Sequence, residues 1–337
     1  MNKILKPNKL ARALQDFFGD HLPRLRGMSP NTIHSYRDCL VMLLQYSAKQ
    51  QRCPITKLEI EHIDAKKILG FLQMLEDKRG NKPTTRNIRL AAIHVFFRYF
   101  AYKYPEAMEH CQKILAVPFK RAGHRSVEYL EYDEIQEVLN SIDRCNEDGE
   151  RDYTLITTLF NTGARVQEII DLRICDLQLF KPYCARLMGK GRKERLCPLW
   201  SQTARLLNNL LKHRVDKNEP VFLNHQKQPL SRFGVGYLLK KYFDLAKAKK
   251  PSLRNKRLHP HVMRHSTAVH LLKSGVDIVT ISHWLGHADI NTTNRYATID
   301  LDMKRKAINK IALKDGNKNP KAIWRSNHSI LTWLESL

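Results

Sequence analysis

The sequence has few acidic residues and no long apolar run. Its 337 residues include 33 Asp and Glu against 58 Lys and Arg, a formal net charge of +25. Unless this charge serves only solubility, it favours a polyanionic partner, nucleic acid before a membrane surface, because many phosphates can be neutralised along one face. The basic N-terminal stretch is never apolar enough for a signal peptide, and no later stretch is long enough to cross a bilayer. We therefore expect a cytoplasmic protein without membrane contact.

The spacing of cysteines and histidines fits neither a disulfide framework nor a metal site. None of the seven cysteines forms a C-x-x-C pair, which indicates reduced thiols. Six histidines fall between His259 and His287, but H-E-x-x-H and H-x-x-E-H are absent and no local carboxylate cluster accompanies them. The phosphate-loop pattern G-x-x-x-x-G-K-[ST] is absent as well. The sequence thus predicts no metal, no nucleotide and no other cofactor.

Apolar residues at helical spacing fill most of the chain and predict two domains. Residues 1–117 read as helices only, residues 118–128 as a basic linker with Pro and Gly, and residues 129–313 as a second domain. Residues 185–188 and 195–199 depart from helical spacing and flank a glycine-bracketed turn, which predicts a β-hairpin. The expected fold is mainly α, with a small β-hairpin or sheet in the second domain.

Charged and hydroxyl-bearing side chains gather in the last part of that domain. His261 and Arg264 are three apart in a helical pattern, so both should leave one helix face. A Leu-Gly-His corner ends at His287, and Asp289 is placed to cap a segment in which Tyr296 lies about two turns on. Taken singly, each is more often a packing or surface residue; together they can converge on one anion, as phosphoryl transfer to a tyrosine requires.

Two further candidates lie upstream. Arg165 follows the helix-ending run Asn-Thr-Gly, and Glu168 stands one turn later on the same face, although an ordinary surface ion pair is the alternative. Lys190 lies between two glycines in the hairpin turn, where the backbone can approach a ligand closely while the lysine reaches across.

The ordered set T-G-x-R-x-x-E, Gly-Lys-Gly, H-x-x-R, L-G-H and Tyr resembles the tyrosine recombinase (phage integrase) family, which includes Cre, lambda integrase and the Xer recombinases. Every position of the pattern is occupied here. The resemblance implies Glu168 as a supporting residue and six catalytic residues: Arg165, Lys190, His261, Arg264, His287 and Tyr296.

The resemblance implies a two-domain DNA clamp, in which a helical core-binding domain and the tyrosine recombinase catalytic domain grip opposite sides of a duplex. It also implies metal-free, ATP-free cleavage through a 3′-phosphotyrosyl intermediate, with Lys190, or Lys193 in its place, protonating the leaving 5′-oxygen. The implied partners are double-stranded DNA with specific recombination sites, further copies of the chain as a tetramer, and accessory DNA-bending proteins or a second recombinase. A mobile element is the favoured context.

Basic and polar side chains at helix starts, in loops and in the linker form the expected DNA-binding set. These are Arg26, Asn31, Thr32, Arg37, Lys82, Thr85, Arg86, Arg89, Arg121, Arg125, Arg192, Lys193, Lys256 and Arg257. Residues 314–337 are expected to form a polar linker and an apolar tail. The resemblance implies that this tail docks on a neighbouring protomer, and docking on its own domain is the alternative.

Two other functions share parts of this pattern. A type IB topoisomerase-like enzyme would use nearly the same chemistry to relax one duplex without a defined site. A non-catalytic DNA-binding regulator derived from an integrase would bind DNA with a steep salt dependence but form no covalent product.

Overall fold

A computed structural model describes residues 8–123, 127–189, 193–287, 289, 291–294 and 296. The expectations for Arg125, Lys190, Arg192 and residues 314–337 fall outside these ranges. The chain divides into two compact units, Met1–Arg125 and Ser126–Leu337. This division falls inside the stretch 118–128 that the sequence predicts as a linker.

The first unit is helical throughout the described residues. Helix α1 (Lys9–Asp16) continues directly into a π-helical stretch, Phe17–Leu25. Four further α-helices follow: α2 (Pro30–Gln51), α3 (Ala65–Arg79), α4 (Pro83–Lys103) and α5 (Met108–Leu115). Both long helices begin on proline, whose fixed φ suits the first helical position and whose missing N–H is not needed there. Their apolar faces enclose one core, in which phenylalanine rings from the π-helical stretch and α4 pack edge to face.

The second unit combines helices with one small sheet. Its elements are α6 (Tyr132–Asn140), α7 (Glu147–Thr162), α8 (Val166–Ile170), β1 (Leu177–Gln178), β2 (Cys184–Met188), β3 (Glu194–Pro198), α9 (Ser201–Leu211), α10 (Arg232–Lys249), α11 (Pro260–Lys273), α12 (Ile278–Leu285) and α13 (Asn291–Asn294). The three strands are antiparallel in the order β1-β2-β3, with Leu187 opposite Arg195 and Met188 opposite Glu194. The predicted mainly α fold with a hairpin is confirmed, and β1 adds a third strand.

Helix α7 is the central helix of this unit, and most of its C-terminal half is buried. Three of its four threonines remain compatible with burial because their hydroxyls donate to a carbonyl one turn earlier, whereas the buried Thr157 hydroxyl has no such acceptor among the described residues. Thr154, Thr158 and Thr162 bond Glu150, Thr154 and Thr158 in this way, at 2.7 Å each. The helix ends at Gly163, whose φ of +59° is the left-handed conformation that glycine adopts most easily.

No helix within the described ranges is both long and apolar enough to cross a membrane.

Gly163 should tolerate no side chain, because two effects add at this position. A Cβ would lie 2.6 Å from Leu285 Cδ2 and 3.1 Å from Thr267 Cγ2, in addition to the unfavourable φ. We expect Gly163→Ala to cost about 1–2 kcal/mol from the backbone and a further ~1–3 kcal/mol from overpacking, measured by urea or thermal unfolding. Gly80→Ala is the control, since Gly80 also ends a helix at φ +61° but has nothing within 4 Å of a Cβ. Equal costs at the two glycines would contradict the packing account.

Candidate active site

The candidate site is built on the C-terminal end of α12. Asp277 caps the start of this helix by accepting the N–H groups of Val279 and Thr280, and Gly286 ends it at φ +64°. The last carbonyls of a helix have no partner inside it, and they carry the negative end of the helix dipole. They are therefore natural acceptors for cationic donors.

Three arginines from three different elements occupy three consecutive carbonyls at this helix end. Arg195 Nε donates to Trp284 O at 2.8 Å, Arg264 Nη2 to Leu285 O at 2.5 Å, and Arg165 Nη2 to Gly286 O at 3.1 Å. The arginines come from β3, α11 and the start of α8 respectively. One helix end thus sets the positions of three guanidinium groups.

Arg165 is held from its other side by Glu168. As the sequence predicts, Arg165 precedes the first residue of α8, and Glu168 caps that helix by accepting the Arg165 backbone N–H at 2.8 Å. The same carboxylate accepts Arg165 Nη1 at 2.7 Å. The residue that starts the helix is therefore bound through both its backbone and its side chain.

Arg195 shares this carboxylate and was not among the residues expected from the sequence. Its Nη1 and Nη2 donate to Glu168 Oε1 and Oε2 at 3.1 and 2.7 Å. Burial alone would raise the pKa of the Glu168 carboxyl, but hydrogen bonds and charges from Arg195 and Arg165 outweigh it and the pKa is lowered. Glu168, only 4% exposed, is therefore an ionised carboxylate between two arginines.

Arg264 is the most deeply buried cation of the set, at 4% exposure. Its Nη1 donates to Gly163 O at 2.8 Å, so it joins the end of α7 to the end of α12. Burial, followed by the charge of Arg165, lowers the pKa of Arg264 to about 10. The group remains charged at neutral pH, and an anion placed between it and Arg165 would relieve their repulsion.

The two predicted histidines are adjacent to these arginines. His261 lies in the first turn of α11, and partial burial of its ring with the charges of His259 and Arg264 lowers its pKa. His287 follows Gly286, and its Nδ1 lies 2.7 Å from Thr293 Oγ1. Burial of the ring, together with the positive charges of Arg264 and Arg165, lowers the pKa of His287 to about 4. Both imidazoles are therefore neutral at pH 7 in the free chain.

Tyr296 is buried, at 2% exposure, and its hydroxyl lies 2.7 Å from His265 Nδ1. The sequence places Tyr296 about two turns into the segment that Asp289 caps, and the helix described in that segment is α13, Asn291–Asn294. Tyr296 follows this single turn, and its N–H donates to Thr293 O. His265 was not among the site residues expected from the sequence and is the second functional candidate that the pattern missed. Its place one turn after His261 on the same helix was the available signal.

The structure thus brings together Arg165, Arg264, His261, His287 and Tyr296, whose charges and hydroxyl act on one another's ionisation. Lys190 is outside the described residues, but the neighbouring Gly189, directly after the end of β2, lies beside the cluster. A Cβ on Gly189 would lie 3.5 Å from Glu168 Oε1 and 3.8 Å from Arg165 Nη1.

The expected DNA-binding residues are mostly at the surface. Arg26, Asn31, Arg37, Lys82, Arg121, Lys193 and Arg257 are exposed, and Thr32, Thr85, Arg89 and Lys256 are partly exposed. Lys256 also pairs with the buried Glu134 at 2.6 Å. Arg86 differs from the rest, because it is 3% exposed and donates to Pro118 O at 3.2 Å. A buried side chain that binds its own chain is not free to reach a phosphate, so we leave Arg86 out of the DNA-binding set proposed below.

Among the residues that the structure describes, no three His, Cys, Asp or Glu side chains form a group suited to a metal ion.

Comparison with family models identifies both units. The model described as "Phage integrase family" matches residues 128–302, more than half of the chain, and "Phage integrase, N-terminal SAM-like domain" matches residues 15–103. The chain belongs to the phage integrase family. The expected resemblance to tyrosine recombinases is confirmed.

Similar proteins extend this match over the whole length. The chain is 38% identical to y4rC of Sinorhizobium fredii, a protein assigned to the integrases and recombinases, over 99% of this chain and 100% of that one. It is 30% identical to the tyrosine recombinase XerD of Listeria innocua, over 85% and 95% of the two chains. The fold is similar to that of the XerH site-specific recombinase in its post-cleavage complex with DNA, with a TM-score of 0.69, 23% identity and coverage of 91% and 90%.

These matches decide between the functions that the sequence left open. The chain is a tyrosine recombinase, an enzyme that recombines DNA at specific sites, and DNA is its partner. The relaxing-enzyme and regulator alternatives have no support of this kind.

Loss of the Glu168 charge should destabilise the second unit strongly. Glu168→Gln leaves Arg165 and Arg195 without their shared counter-charge, and breaking a buried ion pair typically costs about 3–5 kcal/mol. Thermal unfolding of the full-length variant measures this loss. Asp244→Asn, which removes an exposed partner of Lys240 on α10, is the control and should change stability by less than about 1 kcal/mol. A Glu168→Gln variant as stable as the control would contradict the buried network.

Stability should fall as the pH decreases from about 6.5 to about 4. His287 titrates near 4 in the folded chain and near its ordinary value of 6.5 when unfolded, so the unfolded state binds more protons in this window. His287→Asn removes this contribution, and its unfolding midpoint should decline less steeply with falling pH than that of the wild type. His283→Asn, which changes an exposed histidine of α12, should follow the wild type. Parallel declines for His287→Asn and the wild type would refute the assignment.

Proposed function

We propose that Tyr296 is the nucleophile of DNA cleavage and that Arg165 and Arg264 hold the scissile phosphate. The observation that carries this proposal is the pair of guanidinium groups fixed on adjacent carbonyls of α12, next to two neutral histidines and the tyrosine. A phosphodiester accumulates negative charge on its non-bridging oxygens as it is attacked, and donors already in place lower the energy of that state. Both arginines retain donors for this role. Counting contacts among described residues only, two of the five guanidinium N–H groups of Arg264 and two of those of Arg165 donate to protein acceptors.

The cleavage step exchanges one phosphodiester for another. The Tyr296 oxygen bonds to phosphorus, the bond from phosphorus to the 5′-oxygen breaks, and the products are a 3′-phosphotyrosyl link and a free 5′-hydroxyl. The reverse attack by the 5′-hydroxyl of a partner duplex rejoins the strands. The bond energy is kept in the covalent link, so no ATP is needed.

Two protons move in this step. The tyrosine must lose its proton, and His265 Nδ1, 2.7 Å from the hydroxyl, is our proposed first acceptor. Lys190 is the proposed donor to the leaving 5′-oxygen, with the exposed Lys193 as its substitute. His261 and His287, neutral in the free chain, are proposed to contact the phosphate and assist proton transfer. Because Tyr296 is buried, we infer that DNA binding must first expose its hydroxyl.

We further propose the assembly and the setting of the reaction. Four protomers on two recombination sites would exchange strands through a Holliday junction, and the enzyme would act in the cytoplasm, where its DNA substrate lies. The exposed basic residues named above would contact the DNA backbone. A mobile element is the proposed context, since the relative y4rC is assigned to the integrases.

A nicked suicide substrate tests the assignment of Tyr296. With DNA from the flanks of the gene, the nick releases a short fragment after cleavage and traps the adduct, which a denaturing gel separates from free DNA. We expect a 3′-linked adduct for the wild type and, because the attacking oxygen is absent, more than about 10³-fold less for Tyr296→Phe, with unchanged DNA binding. Tyr237→Phe, which alters an exposed tyrosine of α10, should form the adduct normally. An adduct from Tyr296→Phe would show that another residue is the nucleophile.

A further inference from the structure

We propose that Arg195 is a positioning residue for DNA cleavage, which acts by fixing the orientation of Arg165. This inference rests on the proposed role of Arg165 as a phosphate ligand. Arg195 itself does not bind the phosphate in this proposal, because its side chain is only 10% exposed and each of its three guanidinium nitrogens donates to a protein acceptor.

Both attachment points of Arg165 lead to Arg195. The first is Glu168, whose Oε1 accepts Arg165 Nη1 at 2.7 Å and Arg195 Nη1 at 3.1 Å. The second is Gly286 O, two residues after the carbonyl of Trp284 that accepts Arg195 Nε. Without Arg195, the carboxylate could rotate and the helix end could shift, so that both anchors of Arg165 would loosen together.

Steric contact at Gly286 adds a further constraint. A Cβ on Gly286 would lie 3.0 Å from Arg195 Nη1 and 3.1 Å from its Cδ, so the side chain of Arg195 lies directly against the backbone of this corner. The guanidinium therefore packs against the same peptide whose carbonyl binds Arg165. A shorter side chain would leave this space unfilled.

Strand pairing connects Arg195 to the hairpin. Arg195, on β3, lies opposite Leu187 on β2. Two residues after Leu187, just beyond the end of β2, Gly189 lies beside the Glu168 carboxylate. The register of β2 and β3 thus sets the position of Arg195, and Arg195 transmits that position to the phosphate ligand. The hairpin is then required for the arginine site as well as for the lysine that its turn carries.

Arg195→Lys is the variant that separates these effects. A lysine keeps the positive charge but cannot bind both carboxylate oxygens and the Trp284 carbonyl at once. We expect adduct formation on the suicide substrate to slow by about 10–100-fold, with unchanged affinity for uncleaved DNA. Arg186→Lys is the matched control, because Arg186 lies on the neighbouring strand and binds Asp176 through two nitrogens without touching Arg165 or Glu168. It should react as the wild type does.

Two modified phosphates identify the group through which Arg195 acts. A methylphosphonate at the cleavage position removes one negative oxygen, so the reaction depends less on a well-placed guanidinium. A 5′-bridging sulfur leaves as a thiolate that needs no proton, so the reaction depends less on the hairpin lysine. If Arg195 acts through Arg165, the ratio of the wild-type rate of adduct formation to the Arg195→Lys rate should be at least about tenfold smaller on the methylphosphonate than on the normal phosphate. On the bridging-sulfur substrate this ratio should stay the same.

The opposite results overturn the inference. A defect of the same size on all three substrates would mean that Arg195 only supports the fold, and a defect relieved only by the bridging sulfur would mean that it acts on the leaving group. Each comparison sets the rates of one protein preparation on two substrates against each other. A misfolded fraction lowers both rates by the same factor, so it does not change their ratio. A wild type that forms no adduct on any substrate would refute the proposed function and this inference with it. A reactive wild type matched in rate by Arg195→Lys would refute this inference alone.

Discussion

The end of helix α12 is the feature on which the rest of the site depends. Three successive peptide carbonyls there have lost their helical partners, and each is satisfied by an arginine from a different part of the chain. The carbonyls receive hydrogen bonds that the helix cannot supply, and the negative end of the helix dipole stabilises the charges of the arginines. Helix α11, strand β3 and the turn before α8, which are far apart in sequence, are thereby fixed to one another at the candidate site.

This arrangement leaves the cluster with more positive than negative charge. Among the described residues, Glu168 supplies one full counter-charge for Arg165 and Arg195, and the other acceptors of the three arginines are carbonyl groups. The lowered pKa values of Arg264, His261 and His287 all reflect burial beside these cations. The described part of the chain thus holds a set of donors in place with less than their full counter-charge, which is the arrangement expected of a site that stabilises a charged transition state.

The sequence predicted most of this site because its residues occur in local patterns. The turn at Gly163 before Arg165, the hairpin around Gly189 and the helical spacing of His261 and Arg264 are all set by neighbours a few residues away. Arg195 and His265 escaped prediction for opposite reasons. Arg195 reads as a strand residue, and its value arises only from tertiary contacts with Glu168 and Trp284. His265 lies close in sequence to the predicted His261 and Arg264. Its proposed role, however, depends on a tertiary contact with Tyr296, which belongs to a later segment of the chain.

The burial of Tyr296 has a consequence for the integrity of the genome. A strongly basic protein spends much of its time bound to DNA of arbitrary sequence, held by phosphate contacts that carry no sequence information. A tyrosine hydroxyl on its surface would be presented to every such phosphate. The proposal that Tyr296 is the nucleophile then implies that, with its hydroxyl enclosed against His265, ordinary encounters would leave the duplex intact. Fidelity would begin before any base is read, in the free energy needed to bring one side chain out of the protein interior.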